Sequence, residues 1–229
     1  MKNLLLCSVF LLLATGIFSQ TVYWNCVSID VNDPELLVQA MDQFMASESG
    51  KTMPTTSLSE FVHKSTTLNA THQICLISED PAAIDNIVEQ KFTNVEAQVF
   101  GLVWEDEVKM VANVLGQALI FDPTRVGGAY SNIYSLDVAD AATFGAAFKT
   151  LTEAFPDVTI ELHEAIAGAE DHVTHYAVSR ADGLSSWMGH RNTIGASKAW
   201  ADFVAQVDGK SETISSISVR LLKTYNQPE

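Results

Sequence analysis

Apolar residues recur along the chain with two periods, one typical of strands and one typical of helices. Residues 21–31 are rich in Val, Ile and aromatic side chains and predict a strand. Asp33 is then a candidate helix N-cap, with Pro34 at the first helical position. The apolar residues that follow keep helical spacing to about Ser47 and are Leu36, Leu37, Ala40, Met41 and Phe44.

The same order of patterns continues and then occurs a second time. After the first helix the chain predicts strands at 57–63 and 71–78, a helical stretch at 81–104 and a last strand at 108–121. In the second occurrence, a strand within residues 130–140 and a candidate N-cap at Asp140 come first. An apolar stripe at helical spacing follows, made of Phe144, Ala147, Phe148 and Leu151. The remaining predicted elements are strands at 158–166 and 174–180, a helical stretch at 184–206 and a strand at 212–225.

Three pairs of segments match in the same order. Residues 23–33 (YWNCVSIDVND) and 130–140 (YSNIYSLDVAD) are identical at six of eleven positions. A Thr-His pair begins an apolar run at His72 and again at His175, and the two terminal strands correspond. The sequence therefore predicts a tandem duplication.

The order β-α-β-β-α-β, occurring twice, predicts an α+β fold of two ferredoxin-like units. The expected boundaries are 20–122 for the first unit and 123–229 for the second, with Phe121 to Gly128 as the linker. We expect the first and third strands of each unit to be adjacent and parallel. Because a single such sheet leaves one face uncovered, we expect the two sheets to pack as an intramolecular, pseudo-two-fold α/β barrel with helices outside.

The N-terminus has the pattern of a secretory signal peptide. Lys2 precedes an uncharged apolar run from Leu4 to Phe18, and cleavage is expected after Ser19 or Gln20. Residues 1–19 therefore predict a secreted or periplasmic protein, an uncleaved membrane anchor being the alternative. Cys7 belongs to this segment.

The charge balance limits the partners. The chain carries 28 acidic and 13 basic side chains, with a formal net charge of −15. Such a surface repels nucleic acid and anionic lipid, so we expect no nucleic-acid partner and no membrane partner after signal cleavage. The oligomeric state stays open.

One segment resembles a known family. Residues 176–190 (YAVSRADGLSSWMGH) followed by 197–203 (SKAWADF) resemble the antibiotic biosynthesis monooxygenase-like family of dimeric α/β barrels. The resemblance extends over about 125 to 225. In the first unit Glu89 or Gln90 stands near where His190 would fall. The resemblance implies the barrel fold, and the superfamily includes cofactor-free monooxygenases, isomerases, haem enzymes and proteins with no known chemistry.

Strand alternation divides the first strand of each unit into two faces. The face expected to meet the helices carries Tyr23, Val27, Ile29 and Val31, matched in the second unit by Tyr130, Tyr134, Leu136 and Val138. The other set of residues, more polar, is placed toward the barrel interior. A pocket there would be lined by Trp24, Gln73, Ser131, Ser135, Tyr176 and Arg180, with His163 from a neighbouring strand. The alternative is that these residues pair with each other and the barrel is solid. If the protein is an enzyme, His190 or His163 would be the base and Arg180 would hold an anion.

No metal or cofactor motif is present. His172 and His175 are three residues apart at a turn and strand start, where that spacing points them in different directions. We therefore expect no metal and no cofactor, haem with a His ligand being a third functional possibility. The repeated pairs Asn25/Asn132 and His72/His175 favour structural roles, because catalysis rarely needs one residue twice.

Cys26 and Cys75 fall on strands expected to be neighbours, on the same face, so their Cα atoms should lie within about 7 Å. Both a disulfide and two buried free thiols stay open. Asn69 begins a glycosylation sequon.

Two functional hypotheses follow. The first is a secreted α/β barrel that binds a small hydrophobic or aromatic ligand, with proton transfer or cofactor-free oxidation as its candidate chemistry. The second is a non-enzymatic structural or interaction module of the same fold.

Overall fold

The computed structural model describes residues 21–90, 95–122 and 128–227, and the side chains of all of these except 86–90. Within them the chain forms a closed eight-stranded barrel and six α-helices. The predicted signal peptide, most of the linker and the side chains of Glu89 and Gln90 lie outside the described residues. No helix in the described part is long and apolar enough to span a bilayer.

The first series of elements follows the predicted order, with one addition. The elements are β1 (Tyr23–Val31), α1 (Pro34–Ala46), a short 3₁₀ turn (Gly50–Thr52), β2 (Thr55–His63), β3 (His72–Ser78), α2 (Pro81–Gln90), α3 (Val95–Glu107) and β4 (Val108–Ile120). Within the helical stretch predicted over 81–104, the described residues are helical up to Gln90 and again from Val95.

The second series has the same order of strands and α-helices. Its elements are β5 (Tyr130–Val138), α4 (Ala141–Ala154), β6 (Thr159–Ala167), β7 (His175–Ala181), α5 (Leu184–Gly195), α6 (Lys198–Val207) and β8 (Ser211–Tyr225). In this series the predicted long helix divides, because Ser197 caps the start of α6 by accepting a hydrogen bond from the Trp200 amide at 3.0 Å.

The strand order around the barrel is β1-β3-β2-β8-β5-β7-β6-β4, and every paired neighbour is antiparallel. The expected adjacency of β1 and β3 is confirmed, but the expected parallel direction is wrong. The crossover through α1 makes β2 run in the same direction as β1, and β3 then returns antiparallel to both.

Asp caps begin the first helix of each series, as the sequence predicts. Asp33 accepts a hydrogen bond from the Leu36 amide at 3.0 Å, and Asp140 accepts one from the Thr143 amide at 3.0 Å. These contacts satisfy amides that the helix itself leaves unpaired.

The apolar core lies between the outer face of the barrel and the helices. Ile29 on β1 packs with Leu37 and Met41 of α1, and all three are buried. In the second series Leu162 of β6 packs with Phe148 of α4 and Phe203 of α6. This confirms which face of β1 and β5 was expected to meet the helices, and it leaves the polar residues on the inner face.

Cys26 and Cys75 form a disulfide across the β1–β3 pair. Their Cα atoms are 4.1 Å apart, so the predicted proximity is confirmed, and the open choice between bond and free thiols is settled for the bond. The positions in the second series that correspond to Cys26 and Cys75 are Ile133 on β5 and Val178 on β7, which lie directly opposite each other.

Candidate functional site

The inner face of the barrel brings together most of the residues predicted to line a pocket. The Trp24 ring lies edge-on to His163, with ring centroids 5.9 Å apart, and to Tyr176 at 5.7 Å. The indole of Trp24 lies directly against Gly116 of β4, where any Cβ would clash with it. Burial raises the pKa of Tyr176 to about 12, so its phenol keeps its proton.

A buried carboxylate that the sequence analysis did not select organises this face. Glu161 of β6 is 1% exposed and pairs with Arg180 through two hydrogen bonds, Nε to Oε1 at 2.9 Å and Nη2 to Oε2 at 3.0 Å. His163 Nε2 lies 3.0 Å from the same Oε2, and Arg180 Nη1 donates to Ser131 Oγ at 3.3 Å. We call these four residues the inner cluster.

The charges in the inner cluster favour one protonation pattern. Burial raises the pKa of Glu161, but the Arg180 charge and the hydrogen bonds from His163 and Arg180 outweigh it, and the pKa falls to about 2. Glu161 is therefore an ionised acceptor, so His163 Nε2 carries the hydrogen that it donates. The Nδ1 atom of His163 and the Nε1 atom of Trp24 are buried, and neither has a hydrogen-bond partner among the described residues.

The remaining predicted pocket residues share the inner face without joining the inner cluster. Gln73 is opposite Ser28 on β1, and Ser135 is opposite Tyr176 on β7. Neither hydrogen-bonds to Glu161 in the described part of the chain. Of the predicted pocket residues, Arg180 and Ser131 hydrogen-bond to each other, as a paired interior would have it. A pocket lined by the others stays a prediction.

His190 lies elsewhere. It belongs to α5, which packs on the outside of β7, so the barrel wall separates it from His163. His190 is partly buried, and within the described part of the chain its Nδ1 has no hydrogen-bond partner. The two histidines considered as a base are thus on opposite sides of the sheet.

A cavity of about 650 Å³ lies outside the barrel, between α5, the outer faces of β5 and β8, and the end of β2. We call it the α5 groove. Its apolar wall consists of Trp187, which is buried, and of Leu184, Met188 and Ile214, which are 46%, 41% and 39% exposed. The rings of Trp187 and Tyr130 contact each other in a tilted arrangement, with ring centroids 6.0 Å apart.

The opposite side of the α5 groove is polar. Ser218 donates to the Asn132 amide oxygen at 2.8 Å, and both residues are buried. At one rim the Tyr130 hydroxyl lies 3.3 Å from His63 Nδ1. A smaller cavity of about 270 Å³ adjoins the groove and shares Tyr130 and Leu184 with it.

The residues of the α5 groove were not predicted as site residues. Asn132 was noted only because it matches Asn25, and Trp187 only within the segment carrying the family resemblance. Strand alternation did place Tyr130 on the helix-facing side. A cluster of aromatic and amide side chains there, facing a helix with Trp187, was the available signal.

The described residues contain no group of three or more His, Cys, Asp or Glu able to hold a metal ion. Haem would need an axial ligand aimed into a cavity. His190 lines neither of the two cavities described above, and the His63 ring in the larger one is exposed and lies against Tyr130. The histidines of the described residues therefore do not form an axial site that fits haem.

Comparison of the fold with solved structures finds the same architecture at very low sequence identity. A protein from Fusobacterium nucleatum described as a putative monooxygenase matches with a TM-score of 0.60 and 12% identity, over 90% of this chain and 94% of that chain. An anthrone oxidase-like protein matches with a TM-score of 0.53 and 12% identity, over 91% and 94%. A mutant chlorite dismutase from Candidatus Nitrospira defluvii matches with a TM-score of 0.54 and 9% identity, over 88% and 92%.

These matches show the fold, which is that of the monooxygenase-like and chlorite dismutase-like α+β barrels, and they agree with the family resemblance in the sequence. No protein-family model and no curated protein matches the sequence. Fold similarity at this level of identity does not carry over a reaction, so function has to be argued from the site itself.

Proposed function

We propose that this protein binds a small planar, hydrophobic or aromatic molecule in the α5 groove. The observation that carries the proposal is the cavity of about 650 Å³ with one apolar and one polar wall. Ligand sites in proteins are commonly concave, of roughly 300–1,000 Å³, and largely apolar with a few placed polar groups.

The exposed side chains of the groove support an apolar occupant. Leu184, Met188 and Ile214 each leave more than a third of their surface open, and all three line the same cavity. Burial of apolar surface by a ligand contributes a favourable free energy of about 25 cal/mol per Å². A flat ring against Met188 would also lie close to the aromatic rings of Trp187 and Tyr130, which line the same cavity.

The Asn132–Ser218 pair supports orientation of the ligand. Asn132 uses its amide oxygen to accept from Ser218, which leaves its NH₂ group to donate. A carbonyl or hydroxyl oxygen on the ligand would satisfy that donor. The non-enzymatic module, the alternative functional hypothesis, predicts no ligand at this position.

The first prediction concerns binding in the groove. Met188→Glu should weaken binding of a planar aromatic ligand roughly tenfold or more, because it introduces a charge into the apolar wall. Val204→Glu is the matched control, since Val204 is 45% exposed on α6 and lines neither cavity, and it should leave affinity unchanged. Mass spectrometry of natively purified protein identifies a retained ligand, and isothermal titration calorimetry compares the variants. Equal affinity in both variants would remove the groove from the proposal.

Catalysis by His163 is a second candidate, supported by one observation. Glu161 accepts from Nε2 of His163, and no described residue hydrogen-bonds to Nδ1, which is the arrangement of an oriented general base. Proton abstraction by Nδ1 would leave an imidazolium stabilised by Glu161. Because His163 lines neither of the two described cavities, its substrate would have to enter the barrel interior. His163→Asn should then abolish turnover of that substrate while calorimetry shows unchanged affinity for a ligand of the α5 groove; persistent turnover in this variant would exclude the role.

We also propose that the chain arose by tandem duplication and has pseudo-two-fold symmetry. Two hydrogen-bond patterns support this. Thr71 Oγ1 accepts from the Val31 amide at 3.0 Å and Thr174 Oγ1 accepts from the Val138 amide at 2.9 Å. Each threonine hydroxyl also lies 2.9 Å from Nδ1 of the following histidine, His72 or His175. Superposition of 21–122 on 128–225 tests the symmetry.

Export of the chain rests on the signal-like pattern of residues 1–19 and would be tested by N-terminal sequencing of the secreted protein.

A further inference from the structure

The lining of the α5 groove differs in charge from the rest of the protein. The chain has 28 acidic and 13 basic side chains, yet the groove is lined by a lysine and a histidine and by no aspartate or glutamate. Lys64 and His63 lie together at the end of β2, on the rim of the cavity. The groove is thus a locally basic cavity on an acidic protein.

The Lys64 ammonium is only partly satisfied by the protein. It donates to the Ala70 carbonyl and forms no ion pair with any carboxylate of the described residues. An ammonium has three N–H donors, so others stay available to a ligand. By contrast, Arg220, which lines the smaller cavity, is already paired with Glu60.

The start of α5 adds positive potential on the same side. Its N-cap is Gly183, which has no side chain to accept a hydrogen bond from the amides of the first turn. Leu184, at the first helical position, lines both cavities. The amides of the first turn carry the positive end of the helix dipole. The smaller cavity is lined by Asp182 and by Arg220, and because Arg220 is already paired with Glu60, that cavity adds no positive charge.

From these observations we infer that the ligand of the α5 groove is an aromatic oxyanion, such as an aromatic carboxylate, with its ring on the Met188 wall and its charged oxygen at Lys64. This inference rests on the proposed function and specifies its ligand class. The net charge of −15 repels anions at long range, so long-range attraction contributes little to the binding of this ligand. The preference for an anion comes from the basic groups of the cavity, which act at short range.

The experiment compares two probes of the same shape. 2-Naphthoate carries a carboxylate, and 2-naphthamide is its neutral counterpart. Calorimetry at low and at 0.5 M salt should show roughly fivefold tighter binding of 2-naphthoate at low salt, and a smaller difference at high salt. Lys64→Met should remove the preference, and Lys64→Arg should keep it. Lys51→Met is the matched control, because Lys51 is exposed and pairs with Glu48 away from the groove.

The outcomes separate this inference from the proposed function. Equal binding of both probes to the unmodified protein overturns the anionic ligand and leaves the groove as a binding site. A preference that survives in Lys64→Met overturns the assignment of Lys64. Failure of both probes to bind at millimolar concentration overturns the proposed aromatic site, and the ligand class with it.

Discussion

Arg180→Met is expected to lower the free energy of unfolding by about 3 kcal/mol, because it leaves the ionised Glu161 without its main partner. Glu161 is 1% exposed, so water cannot replace the guanidinium. Arg220→Met is the matched control. The Arg220 side chain is 61% exposed in its pair with Glu60, and its loss should cost less than about 1 kcal/mol. Urea unfolding of the three proteins measures both effects.

Acid should remove the same stabilisation. The folded-state pKa of Glu161, about 2, lies below its ordinary value of 4.5, so the unfolded chain takes up the proton first as the pH falls. The contribution of the pair is therefore fully present above about pH 4.5 and is lost as the pH falls toward about 2. The stability difference between the unmodified protein and Arg180→Met should shrink over that window. A difference that stays constant from pH 6 to pH 2.5 would show that Glu161 is not the titrating partner.

A double variant tests whether the cost comes from an unpaired charge. In Glu161→Leu/Arg180→Met both charges are gone, and most of the lost stability should return, because a buried ion pair can often be replaced by apolar groups of similar volume. His163 Nε2 then loses its acceptor, so the recovery should be incomplete. If the double variant is no more stable than Arg180→Met alone, the loss of stability comes from lost packing of the Arg180 side chain and not from the unpaired charge of Glu161.

Local features of the fold could be predicted from the sequence, because each depends on neighbouring residues. The capping role of Asp33 and Asp140 follows from a side chain that reaches an amide three residues on. Burial of Ile29 against α1 follows from strand alternation. The break between α5 and α6 was missed, although Ser197 is itself a common N-cap residue.

The candidate site was harder to predict because it is assembled from elements far apart in the chain. The α5 groove combines the end of β2, near His63, with β5, α5 and β8. No spacing within one element indicates that these segments meet. The inner cluster was partly predictable. Glu161 stands two residues before His163, so strand alternation alone puts the two on one face.

Corresponding positions in the two series of elements carry different residues on the inner face of the barrel. Since Glu60 is opposite His72 and Glu164 is opposite His175, Glu161 corresponds to Ser57 and Arg180 to Ile77. The charged inner cluster thus belongs to the second series, whereas the disulfide belongs to the first. Each half of the barrel interior has its own cross-strand link, one covalent and one ionic, so the two links should stabilise independently.

Removal of the disulfide is expected to cost about 4 kcal/mol, since Cys26 and Cys75 are 49 residues apart and closing a loop of that length restricts the unfolded chain by about that amount. The variants are Cys26→Ala/Cys75→Ala and Cys26→Ile/Cys75→Val. The second introduces the pair that the other half carries as Ile133 and Val178, so it should be the more stable of the two through restored packing. Urea unfolding with and without dithiothreitol measures the effect. Reductant should lower the midpoint for the unmodified protein only, and an unchanged midpoint in that protein would mean that the bond contributes nothing to stability.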